Sequence, residues 1–100
     1  MAARKLRRSS GNVFRDLGFS NEEAENLRIR SELMARLARV IHDRDLTQAE
    51  AARILGVSQP RVSDLVRGKI DLFSIDMLVN MLAKAGLRVT FTTRTQKHVA

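Results

Sequence analysis

Cysteine is absent from the chain, which removes disulfides, thiolate nucleophiles and thiolate metal sites together. Tryptophan and tyrosine are absent too, and the four phenylalanines are scattered. No aromatic platform of the kind that stacks single-stranded RNA or DNA is therefore encoded, and any nucleic-acid partner is expected to be a duplex. No apolar run approaches the roughly 18 to 20 residues that span a bilayer; the longest, near residues 77–82, is interrupted by Asn80. Polar sequence, not a secretory core, follows Arg4, Lys5, Arg7 and Arg8, so the expected compartment is the cytoplasm. One hundred residues are also too few for two separate cores. Acidic residues are in deficit, eleven against eighteen Lys and Arg, leaving a formal charge of +7. An excess of that sign on a small domain attracts polyanions, nucleic acid first among them.

What is present reads as short helices with clear punctuation. Residues 1–11 carry four basic side chains, no acidic one and a Ser9-Ser10-Gly11 break, and are expected to form a flexible arm. Residues 13–19 hold a small apolar cluster, Val13, Phe14, Leu17 and Phe19, which is expected to be buried whatever its form. Ser20 and Glu23 have capping-box spacing and open a helix. Along it Ala24, Leu27, Met34, Leu37, Ala38 and Ile41 mark one apolar stripe to about Asp43. Thr47 and Glu50 repeat the box and open a second helix through Leu55, stopped by Gly56. Ser58 caps a third, with Pro60 in the first turn, where a missing amide hydrogen costs nothing; Gly68 closes it after Arg67. Ser74 caps a fourth, in which Ile75, Leu78, Val79 and Leu82 share a face and Gly86 ends the run. Met34, Met77 and Met81 read as core fillers. From Leu87 the period changes to two: Leu87, Val89 and Phe91 alternate with Arg88, Thr90 and Thr92. That pattern predicts a half-buried strand over residues 87–93. A single strand needs a partner, and a symmetry mate would give a two-fold dimer through Leu87, Val89 and Phe91. Residues 94–100 read as a tail.

The functional signal lies in residues 48–67, two short helices joined by a tight turn, the spacing of a helix-turn-helix. Ala52 is small where the helices cross, and Gly56 supplies a conformation that a side chain opposes. Val57, Val62 and Leu65 are internal positions. Val62, Leu65 and Val66 share one side of the third helix, leaving Pro60, Asp64 and Arg67 opposite, flanked by Arg61 and Ser63. Ser58, Gln59 and Arg61 occupy the amino end, which reaches base edges in this motif; Arg bonds a guanine edge and Gln an adenine. Gln48 is placed at phosphate, and Lys69 extends the basic surface. Arg61 and Arg67 read either as base contacts or as solvated surface charges, and Asp64 would repel phosphate.

The run Leu46-Thr47-Gln48-Ala49-Glu50-Ala51-Ala52-Arg53-Ile54-Leu55-Gly56-Val57-Ser58-Gln59-Pro60-Arg61-Val62-Ser63 resembles the Cro and phage-repressor (Xre) type of helix-turn-helix. The resemblance covers residues 46–68. It implies an all-α, lambda-repressor-like bundle, here of four main helices with a short C-terminal β-strand. Residues 12–93 would form the DNA-binding domain, with its motif at 47–68. More narrowly, an apolar lead at 13–19, a long first helix, this motif, Phe73-Ser74 and a terminal strand look like the Xre-type antitoxins of HigA kind. That likeness implies a homodimer that binds a palindromic operator near its own promoter and neutralises a RelE-like or HigB-like ribonuclease toxin. The chain departs from many such antitoxins in being basic at its start, where they carry an acidic segment.

Other chemistry finds little support. His42 beside Asp43 and Asp45 suggests a metal or a general base, but a histidine near a helix carboxyl end is more often a dipole partner; His98 lies in the tail. Ser9, Ser10, Ser58 and Ser63 have no His and carboxylate pair beside them to activate a nucleophile. No enzyme activity, cofactor or metal is expected. The basic arm reads equally as a solubility tail or as a minor-groove or phosphate contact.

Overall fold

The computed structural model describes residues 12–95; the basic arm and most of the tail lie outside them. The described residues form five α-helices and one 3-10 turn: α1 Val13–Asp16, α2 Asn21–Asp43, α3 Gln48–Leu55, α4 Gln59–Val66, the turn Ile70–Leu72, and α5 Ile75–Lys84. The four expected helices are all present, preceded by the short α1.

Each main helix begins on a hydroxyl. Ser20, Thr47, Ser58 and Ser74 accept from the backbone amides of Glu23, Glu50, Arg61 and Met77, satisfying donors that the helix itself leaves orphaned. At Thr47 the box is reciprocal, because the Glu50 carboxylate accepts from the Thr47 amide at 2.9 Å. The carboxyl ends share a second device. After α2, α4 and α5, the amides of Leu46, Lys69 and Leu87 reach back to the carbonyls of Ile41, Asp64 and Leu82, the Schellman pattern. Its left-handed residue is Gly68 after α4 and Gly86 after α5, but Asp45, at φ 54°, after α2.

The core is one cluster. Met34, Leu37, Val40 and Ile41 of α2, Ala51 and Leu55 of α3, Val62 and Leu65 of α4, Phe73, and Leu78, Met81 and Leu82 of α5 bury against one another. The long α2 is its spine, as its expected stripe requires; Val40 joins that stripe while Ala38 sits at its edge. Arg30 of α2 and Arg44, which caps its carboxyl end, tie distant carbonyls. Arg30 Nη1 donates to those of Ile70 and Phe73, both at 3.2 Å, and Arg44 Nη2 donates to that of Ala85 at 3.0 Å.

Four expectations are corrected. The strand over residues 87–93 does not form: among the described residues there is no β-ladder and no second strand for it to pair with. The alternation survives as packing, with Leu87 and Val89 against the core and Phe91 84% exposed. The apolar cluster at 13–19 is not buried; Leu17 and Phe19 stand 69% and 43% exposed. Four residues of α1 are too short to turn every apolar side chain inward, and Phe14 and Phe19 pack edge to face instead, with ring centroids 6.3 Å apart. Val66 is 43% exposed at the end of α4, so Val62 and Leu65 anchor that helix alone. Val79 is only partly covered, and Met81 takes its place on the inner face of α5.

Candidate nucleic-acid interface

Three residues, Gly56, Val57 and Ser58, join α3 to α4. Gly56 sits at φ 72° and ψ 32°, left-handed backbone that a Cβ opposes. Its place is crowded as well: a Cβ there would lie 2.8 Å from Lys84 Cδ and 2.9 Å from Cε. Val57 then turns inward against the core, its amide bonded to the Ala52 carbonyl at 3.0 Å, and Ala52 is itself half-buried there. Ser58 is extended and caps α4, its hydroxyl accepting from the Arg61 amide at 3.2 Å. Ala51, Leu55, Val62 and Leu65 lock the pair of helices to α2 and α5 from beneath. The internal positions read from the sequence, Ala52, Gly56, Val57, Val62 and Leu65, are therefore brought together in one joint.

The opposite surface of that joint is open. Gln48, Ser58, Gln59, Pro60, Arg67 and Lys69 are exposed, and Ser63 and Asp64 are partly so. The proposed contact residues thus share the accessible side of α4 and its flanks, with Gln48 at the first position of α3. Arg61 is placed differently: it is half-buried, its Nη1 donates to the Leu72 carbonyl at 3.2 Å, and its guanidinium carbon lies 5.5 Å from the centre of the Phe73 ring. The motif's spacing carries no trace of that tether, since Leu72 and Phe73 lie outside it.

Two electrostatic features set this surface apart. The first turns of α1, α2, α3 and α5 each hold a carboxylate that offsets the positive helix end, namely Asp16, Glu22 with Glu23, Glu50, and Asp76; the first turn of α4 holds none. The amino end of α4 therefore keeps its positive potential for an outside anion. The second is the distribution of ion pairs. Among the described residues they lie on α2: Arg28 with Glu25 at 2.6 Å and Glu32 at 2.7 Å, and Asp43 with Arg39 at 4.0 Å and His42 at 3.3 Å. Hydrogen bonding to Arg28 holds the Glu25 carboxyl below its ordinary range. Arg53, Arg61, Arg67 and Lys69 have no carboxylate partner among the described residues, so their charge is not neutralised. Arg53, exposed in the last turn of α3, is absent from the contact residues read from the sequence, where nothing separates it from a solvated surface charge.

Among the described residues no group of three His, Asp or Glu side chains converges on one point. The His42 side chain is 87% exposed and lies 3.3 Å from the Asp43 carboxylate, at a helix carboxyl end. Two hollows on the described surface, of about 420 and 470 Å³, are lined by α2, Arg15 of α1, the turn before α5 and the start of α5, not by the α3–α4 joint. No helix among the described residues is long and apolar enough to cross a membrane.

Comparison with known proteins agrees with this geometry. A family profile described as a helix-turn-helix domain matches residues 13–93. A solved structure described as an XRE family transcriptional regulator is 32% identical, covers 78% of this chain and 88% of its own, and superposes with a TM-score of 0.69. Comparison with curated proteins gives no match. With a profile matched over most of its length and a relative of that identity and coverage, the chain belongs to the helix-turn-helix family, in its Xre-type branch.

Proposed function

We propose that the chain is a sequence-specific repressor that binds duplex DNA as a homodimer, with α4 in the major groove. The carrying observation is the surface of α4 itself. Its first turn has no carboxylate, Gln59 stands exposed at its first position, and Arg67 and Lys69 at its far end have no carboxylate partner among the described residues. Glutamine at that position suits an adenine edge, Arg67 and Lys69 suit phosphate, and Gln48 at the start of α3 offers a second anchor. Ser58, Pro60 and Ser63 are small enough to let the helix approach closely. Arg61 borders the same face.

A dimer would set two copies of α4 about 34 Å apart on an inverted repeat. Support for it comes from residues 87–91, where Leu87 and Val89 pack inward while Phe91 is left 84% exposed beside backbone that forms no ladder among the described residues. A second copy aligned on that edge would satisfy both. Selection of bound duplexes from random-sequence DNA tests the reading. A palindromic consensus is expected, with Gln59→Ala relaxing it at one position per half-site. Arg67→Ala should weaken all duplexes alike and flatten the salt dependence. Recovery of no consensus would refute sequence-specific recognition.

A second reading, that the chain is also an antitoxin regulating its own operon, is favoured by the exposed apolar side chains of the amino-terminal segment. Val13, Leu17 and Phe19 leave an apolar patch beside α2 that the bundle does not cover. A basic ribonuclease of the RelE-like class is the partner that the family likeness implies. Co-expression with the product of the adjacent gene tests it: a stable complex lost on Leu17→Asp supports the reading, and no complex refutes it.

A further inference from the structure

Arg61 is held by a segment that belongs to neither helix of the motif. Its Nη1 is bonded to the Leu72 carbonyl, and its guanidinium carbon lies 5.5 Å from the Phe73 ring centre, within the reach at which an aromatic face attracts a cation. The ring is a fixed platform, since Phe73 is 2% exposed and part of the core. Platform and carbonyl are held in turn from α2. Arg30 Nη1 bridges the carbonyls of Ile70 and Phe73 at 3.2 Å each, and Arg30 Nε donates to Asn26 Oδ1 at 2.7 Å. Two arginines from different helices thus grip the same four-residue turn.

The two are not equivalent. Arg30 spends both Nε and Nη1 on the protein, whereas Arg61 spends one of its five N–H donors, on Leu72. No carboxylate offsets the Arg61 charge among the described residues. A guanidinium that is fixed in place, still charged and still rich in donors is preorganised: it loses less freedom than a mobile arginine when it meets a base edge or a phosphate.

We propose that Phe73 and Arg30 are positioning residues for DNA recognition, acting through Arg61 without touching the duplex. Phe73 and the Leu72 carbonyl aim the guanidinium; Arg30 keeps the turn that carries them in register with α2. This rests on the DNA-binding reading above.

The test is a double-mutant cycle on a duplex selected from random-sequence DNA, with a scrambled duplex as control and binding read by fluorescence anisotropy. Phe73→Leu keeps an apolar side chain in the core but removes the ring. It should weaken the selected duplex roughly fivefold, the value of a partly exposed cation–π contact, and leave the scrambled one unchanged. Arg61→Lys should weaken the selected duplex, and adding Phe73→Leu to it should cost nothing more, because the two act on one contact. Arg30→Lys keeps the charge but loses the fork that bridges two carbonyls. It should give the same selective loss, and it decides the matter if Phe73→Leu fails to fold. Additive losses, equal losses on both duplexes, or wild-type behaviour of Arg61→Lys or of both other variants would overturn the proposal. If the wild-type chain selects no duplex, the DNA-binding reading fails and takes the proposal with it. If it selects one that the variants bind normally, only the positioning role fails.

Discussion

Gly56→Ala perturbs the joint of the helix-turn-helix in two separable ways. The residue sits at φ 72°, where an L side chain costs about 1 to 2 kcal/mol. The added Cβ would also lie 2.8 Å from Lys84 Cδ and 2.9 Å from Cε, closer than carbon atoms approach. Lys84 is an exposed, flexible side chain, so it swings aside instead of displacing backbone, for a cost of a few tenths of a kcal/mol in lost packing. The sum is about 1.5 to 2 kcal/mol, which for a domain of this size lowers the melting temperature by roughly 6 to 15 °C. Two further variants divide the sum. Gly56→Asn tolerates left-handed backbone but brings the same Cβ, so it should lose about half as much. In a Lys84→Ala background, Gly56→Ala should show the backbone cost alone. Thermal unfolding followed by circular dichroism reads all five proteins, with Lys84→Ala as the reference for the double variant. A Gly56→Ala protein melting within about 2 °C of wild type would refute both parts of the reasoning.

Asp45 is the converse case, a side chain held at φ 54° where α2 ends. Asp45→Gly should stabilise by about 0.5 to 1 kcal/mol, and a lower melting temperature would show that the Asp45 side chain contributes more than its backbone strain costs. Phe91→Asp should convert the proposed dimer into folded monomers by light scattering, and an unchanged mass would place the subunit contact elsewhere. The Glu25 carboxyl is held below its ordinary range by its hydrogen bond to Arg28 and by that residue's charge. A depressed folded-state value means that the contribution is fully present above about pH 4.3 and lost as the pH falls through the lowered value. Because the side chains are 44% and 37% exposed, the pair is worth about 0.5 kcal/mol or less. Glu25→Gln should lower the melting temperature by a few degrees at most at neutral pH, and the gap should close in acid. A gap that widens in acid would contradict the pairing.

The helices and the motif were legible because their signals are local. A hydroxyl at Ser20, Thr47, Ser58 or Ser74 bonds to an amide three residues on, and a glycine at 56, 68 or 86 takes its conformation from its own missing side chain, so neither depends on the rest of the chain. The stripe on α2 followed from helical period alone. The outward placement of Gln48, Gln59 and Arg67 was equally readable, since it follows once Val62 and Leu65 lie inward. Where a position depended on what covers it, local signals failed. Leu17, Phe19 and Val66 have the composition of buried residues, yet too little of the bundle reaches them.

The residues alone determined where each helix starts and stops, and which face of α4 meets the core, through caps and periodicity that act over three or four positions. Only the tertiary structure decided which charges are free and which are spent. Arg28 is consumed by its neighbours on α2 and Arg30 by carbonyls forty residues away, whereas Arg61 is tethered to the turn before α5 through one donor and keeps its charge. An arginine's fate is set by whichever carbonyl, carboxylate or ring the folded chain brings within about 3 to 6 Å of its guanidinium, and such encounters between distant segments leave no periodic mark in the order of the amino acids.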